Sequence, residues 1–171
     1  MNLPNFLTLL RVVLIPVLVL VWFIPSQYAG EISALVFLIA AATDWLDGWL
    51  ARRWQQESAF GAFLDPVADK LMVAAALVLL VDAFNSVLVT LSAVVIIGRE
   101  IVVSALREWM SEIGQRAHVA VSWLGKVKTA AQMLAITVCL APPVEETLLH
   151  PGLWILVLAA LLTLWSMGTY L

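Results

Sequence analysis

Long apolar runs separated by short polar connections dominate this chain. Six runs, at 12–25, 31–50, 63–82, 86–106, 123–141 and 153–170, approach the roughly 20 residues that carry a helix across a bilayer. The pattern therefore predicts an all-α membrane protein of six transmembrane helices. The first run is short. Residues 5–11 precede it with an amphipathic pattern and read as a helix lying at the interface, with Pro16 kinking the chain near the junction.

Charge divides the connections into two kinds. The segments 25–31, 82–86 and 142–146 hold no Lys or Arg, and all nine basic residues lie near the other helix ends. Basic residues gather on the cytoplasmic side of spans, so both termini are expected in the cytoplasm. Composition agrees with the apolar pattern: 63% of the 171 residues are hydrophobic and 12% are charged. Soluble domains are about half apolar and a quarter charged, so lipid must solvate much of this surface. The net charge of −3 says little about partners, and no basic run of the kind that binds nucleic acid occurs. A single cysteine, Cys139, excludes an intrachain disulfide and a Cys-based zinc site. His118 and His150 read as interface or loop residues. No basic n-region marks a cleavable signal, and with no repeat or linker, residues 1–171 read as one domain.

The informative polar residues lie where the second run ends and the third begins. Asp44, Asp47, Gly48, Ala51 and Arg52 follow i, i+3, i+4, i+7, i+8, one face of a helix. Gly61, Asp65 and Asp69 follow i, i+4, i+8, again one face. A short polar connection makes the two helices antiparallel neighbours, so four carboxylates are expected to converge near the cytoplasmic surface. Carboxylates in a span are costly and repel one another. Hard oxygen donors without Cys or His favour Mg²⁺ or Mn²⁺ (or Ca²⁺) over zinc, and two carboxylate pairs suffice for two ions, an arrangement suited to phosphoryl chemistry. The guanidinium of Arg52 matches a phosphate. Two other arrangements also accommodate the carboxylates: structural salt bridges to Arg52, Arg53 and Lys70, or a cation or proton pathway. The clustering at one membrane face weighs against a pathway.

The spacing Asp-x2-Asp-Gly-x2-Ala-Arg-x8-Gly-x3-Asp-x3-Asp, filled without departure by Asp44, Asp47, Gly48, Ala51, Arg52, Gly61, Asp65 and Asp69, resembles the signature of the CDP-alcohol phosphotransferases. The resemblance implies the six-helix CDP-alcohol phosphotransferase fold, a homodimer, and a polar cavity open to the cytoplasm of a bacterial inner membrane. It implies that Asp44, Asp47, Asp65 and Asp69 hold Mg²⁺ or Mn²⁺, two ions per site. Asp69 is implied as the base that deprotonates the acceptor hydroxyl. CDP-diacylglycerol is implied to be held by Gly48, Arg52 and Ser58, and near the N-terminus by Asn5 and Thr8. Read from the residues alone, Asn5 serves equally as a helix N-cap.

The signature leaves the acceptor open. Two further segments, 98–109 and 121–133, put Arg99, Arg107, Lys126 and Lys128 at the level of the acidic site. They read either as anchors that snorkel to headgroups or as a cluster that binds the phosphate of a charged acceptor. These segments and residues 2–11 resemble those members of the family whose acceptor is sn-glycerol 3-phosphate. That likeness implies a phosphatidylglycerophosphate product and CMP. Inositol phosphate, phosphatidylglycerol as in cardiolipin synthesis, and a cation transporter are the alternatives.

Overall fold

The computed structural model describes residues 3–54, 59–112, 123–141 and 150–168. They form six α-helices: α1 (Leu3–Trp22), α2 (Ala29–Trp54), α3 (Ala59–Phe84), α4 (Val87–Glu112), α5 (Trp123–Leu140) and α6 (Pro151–Gly168). No strand occurs among the described residues. Helix α1 packs on α2 and α3, α6 on α5 and α4, α3 on α4, and α2 on α5. Phe37, Leu77, Leu80, Ile96, Ile136, Leu153 and Leu156 fill the interior, with Ala34, Ala40, Ala76, Ala93, Ala135 and Ala160 between them. Alanines at helix crossings let backbones come close, so dispersion contacts are made where lipid gives no hydrophobic drive.

The exterior also carries many large apolar side chains. Leu20, Leu35, Val78, Leu91, Val94, Leu158 and Trp165 all point outward and are exposed. Such a surface would associate in water, whereas lipid tails solvate it at no cost. Among the described residues, Val87–Met110 is long and apolar enough to cross a membrane by length and composition, and Phe6–Trp22, Thr129–Leu140 and Pro151–Met167 are shorter apolar helices. These features fit association with a membrane.

The helices depart from the apolar runs in two ways. Residues 5–11 are not a separate interfacial helix: they are early turns of a continuous α1, with Pro16 inside it. Proline costs α1 one backbone hydrogen bond without ending it. Thr8 and Arg11, expected at a lipid–water interface, are each only 1% exposed because they find polar partners on α2 and α3. The other departure is that α2 and α4 run past their apolar runs into polar sequence, to Trp54 and Glu112, while α3 starts ahead of its run at Ala59.

At the opposite end the turns are tight. Asn85, with φ of 41°, ends α3 in the left-handed conformation, its N–H donating to the Val81 carbonyl at 3.2 Å. This is the usual way a helix stops, and Asn tolerates it. His150, read as a loop residue, is buried. It caps α6: Nδ1 accepts the Gly152 N–H at 3.2 Å, with Pro151 in the first helical position. Its ring meets Phe84 edge-on at 5.3 Å, and burial lowers its pKa. His118 lies outside the described residues.

Helix α2 starts against the end of α5. A Cβ on Gly30 would stand 2.7 Å from the Leu140 carbonyl oxygen and 3.1 Å from that of Ala141. Backbone cannot yield cheaply, so Gly30→Ala is expected to destabilise by about 1–3 kcal/mol. Gly98 meets nothing within 4 Å, and Gly98→Ala is expected to raise stability by about 0.5–1 kcal/mol through helix propensity. Thermal midpoints in nanodiscs check both. The reverse ranking would refute the packing of α2 on α5.

Candidate active site

Two helices carry the acidic signature, and a third one binds it. Asp44 lies on α2, Asp65 and Asp69 on α3, and all three carboxylates are partly exposed. Gly61, one turn before Asp65, is buried. Helix α1 sits against both and presents Thr8 and Arg11, three residues apart and hence on one face. Arg11 Nη1 lies 2.9 Å from Asp44 Oδ1, with the arginine 1% and the aspartate 43% exposed. The Thr8 hydroxyl donates to Asp65 Oδ1. Thus one turn of α1 engages a carboxylate on each neighbouring helix.

Charge couples these groups further. Asp44 interacts through space with Asp65 and with Asp69, and Asp69 also feels Glu100, Arg11 and Lys70. On the other flank the Lys70 ammonium donates to the Ser104 hydroxyl, which in turn donates to the Glu100 carbonyl at 2.7 Å. Arg99 pairs with the Glu100 carboxylate at 3.1 Å. Between α3 and α4, Lys70 and Glu100 border a crevice of about 130 Å³ otherwise lined by apolar side chains such as Leu71, Val73, Ile97 and Ile101. So the acidic face of α3 is flanked by α1 on one side and by a Lys–Ser–Glu arrangement on the other.

Of the residues expected at the site, Thr8, Asp44, Asp65 and Asp69 come together, and Arg99 stands on α4 beside Glu100. Ser58 lies outside the described residues, as do the side chains of Asn5, Asp47, Gly48, Arg52, Arg107, Lys126 and Lys128. Arg11 and Ser104 were not singled out from the sequence as site residues, and Lys70 only as a salt-bridge partner of the carboxylates. Arg11 had been taken as a topological charge, yet its spacing from Thr8 was the available signal. Lys70 and Ser104 are thirty-four positions apart, a pairing that no local pattern reveals.

Does this donor set suit a divalent ion? Its chemistry does: the donor atoms are hard carboxylate oxygens. The geometry is incomplete in this respect. Among the described residues no three carboxylate, imidazole or thiol groups converge on one ion position. Asp44 and Asp65 each direct one oxygen to α1, and Asp47 would have to complete the set.

The amino-acid sequence that builds this bundle has counterparts among known proteins. The sequence model of CDP-alcohol phosphatidyltransferases matches residues 1–165; the chain belongs to that family. Its relatives include the CDP-diacylglycerol–glycerol-3-phosphate 3-phosphatidyltransferase of Sodalis glossinidius (strain morsitans), 56% identical over 171 residues, covering 100% of this chain and 93% of the relative. The protein of the same name from Salmonella choleraesuis (strain SC-B67) is 56% identical over 170 residues, and that from Escherichia coli (strain K12) is 54% identical over 170. Each of those two alignments covers 99% of this chain and 93% of the relative.

Proposed function

We propose that this chain transfers the phosphatidyl group of CDP-diacylglycerol to sn-glycerol 3-phosphate, releasing phosphatidylglycerophosphate and CMP. The observation that carries the reading is the likeness of 54–56% over essentially the whole length to transferases of that name. The gathering of Asp44, Asp65 and Asp69 at one end of the bundle agrees with it.

The chemistry follows from the residues. A carboxylate at Asp69 accepts the proton of the glycerol 3-phosphate 1-hydroxyl. The freed oxygen forms a bond to the lipid-bearing phosphorus, and the bond from that phosphorus to CMP breaks. Arg52 and the Gly48 backbone orient the cytidine diphosphate, with Ser58 and the N-terminal Asn5 and Thr8 beside it. Arg107, Lys126, Lys128 and Arg99 supply charge for the acceptor phosphate. Asp44, Asp47, Asp65 and Asp69 would hold Mg²⁺ or Mn²⁺, two ions per site, which when bound neutralise the diphosphate and the departing charge. Positioning and charge neutralisation account for most of the acceleration.

The same reading puts the protein in a bacterial inner membrane as a multi-pass homodimer, its site and both termini facing the cytoplasm. The distribution of Lys and Arg supports this orientation.

Three outcomes are expected. With excess EDTA turnover stops, and added Mg²⁺ or Mn²⁺ restores it; full turnover in chelator would end the metal reading. Cysteines introduced at positions 27, 86 and 145 in a Cys139→Ala background react with an impermeant reagent from outside intact cells, and labelling only after lysis reverses the orientation. The third outcome separates the base from the acceptor site. Asp69→Asn folds but loses turnover by about 10²- to 10⁴-fold. Arg107→Ala and Lys126→Ala raise the KM for glycerol 3-phosphate by roughly 10- to 150-fold, the loss of one charge-assisted contact, and leave the KM for the CDP-lipid in place. Equal weakening of both substrates puts the acceptor pocket elsewhere.

A further inference from the structure

Among the described residues of α1, the polar side chains of Arg11 and Thr8 lie fully buried, and each reaches a carboxylate of a different helix. A buried guanidinium is expensive unless paired, and a buried hydroxyl needs a partner. Anchors for α1 alone would be found more cheaply on backbone carbonyls. Instead each side chain turns a donor toward the acidic signature. Each engages one oxygen, Oδ1 of Asp44 and Oδ1 of Asp65, and a carboxylate has two.

We propose that one turn of α1 is a clamp on the acidic site. Arg11 and Thr8 are positioning residues: each fixes one oxygen of a carboxylate, on α2 and α3 respectively, so that the second oxygen is presented to a divalent cation. The inference rests on the metal reading given above. It gives Thr8 a part in addition to contact with the nucleotide-lipid: its hydroxyl proton is engaged by Asp65, while the oxygen can still accept. It also explains how two carboxylates that repel one another keep a fixed separation before any ion arrives. Arg11 contributes the opposing charge, and the rigid helix between positions 8 and 11 sets the distance. Partners that orient metal-ligating carboxylates are worth about 10- to 100-fold in metal affinity.

The test uses the full-length protein in nanodiscs, with Mn²⁺ binding followed by electron paramagnetic resonance and kinetics measured separately. Thr8→Val keeps the shape and removes the hydroxyl, so Mn²⁺ affinity falls by about 10- to 100-fold. Thr8→Ser restores the donor and stays near wild type. Arg11→Met weakens Mn²⁺ to a similar degree, and Arg11→Lys falls between. Should Arg11→Met fail to fold, the double variant Arg11→Met/Asp44→Asn folds, because it removes both charges of the pair. If the double variant also fails, Arg11 serves something other than Asp44 and its role in the clamp is overturned. Unchanged Mn²⁺ affinity in Thr8→Val with a raised KM for the CDP-lipid overturns the clamp and makes Thr8 a substrate contact. No Mn²⁺ binding by the wild type overturns the metal reading itself, and the clamp with it.

Discussion

The ion pair between the buried Arg11 and the partly exposed Asp44 is the constraint around which this bundle is arranged. Apolar helices in lipid gain little from hiding their side chains from one another, so close packing and polar contacts must decide their register. Apolar contacts of Leu, Val and Ala change little when a helix turns or slides. A guanidinium 1% exposed is far less tolerant, because losing its carboxylate leaves an unpaired charge in a medium that cannot solvate it. The pair therefore sets both the rotation of α1 and its height against α2. The Thr8 contact to Asp65 does the same against α3. Once these are set, the rest of α1 packs on the two helices through Leu14, Leu18 and Val19.

The two ends of the molecule are built differently. Away from the acidic site the connections are short and the fits are steric: Gly30 under the α5 carbonyls, Gly152 against Cys139 and His150, and the Phe84–His150 ring contact. At the acidic end the packing includes charges that interact without complete pairing, since Asp69 senses two other carboxylates as well as Arg11 and Lys70. A rigid end and a charged, partly open end suit a site that must admit two polar substrates while the bundle holds. Asp44, 43% exposed though its partner is buried, shows the same division at one residue.

Much of this was legible in the chain. Apolar length located all six helices, although it measured the apolar part and not the whole helix. Hence α3 begins at Ala59 and α4 runs to Glu112, beyond the apolar runs. The acidic signature was legible because intrahelical spacing fixes which residues share a face. What sequence could not give was the neighbour across a helix gap. The polar face of residues 5–11 is a real feature, yet periodicity cannot tell whether it looks at headgroups or at another helix. Partners for Thr8 on α3 and Arg11 on α2 decide that question, and both are remote in sequence. The Lys70–Ser104 contact and the buried seat of His150 were hidden for the same reason.

Lys70 shows how the same logic extends to the other flank. It follows Asp69 directly, and adjacent residues on a helix point about 100° apart. Its ammonium is therefore directed away from the acidic face, toward Ser104 and the crevice against α4. There it stays near enough to act on Asp69 through space, alongside Glu100, which acts in the opposite sense. Asp69 thus has cations on both sides, Arg11 from α1 and Lys70 from its own helix, while Asp44 and Glu100 bring negative charge. A proton acceptor at that position must keep enough negative charge to take a proton and enough positive surroundings to exist in a bundle. Helices α1 and α3 supply the cations of that balance, and α2 and α4 the opposing carboxylates.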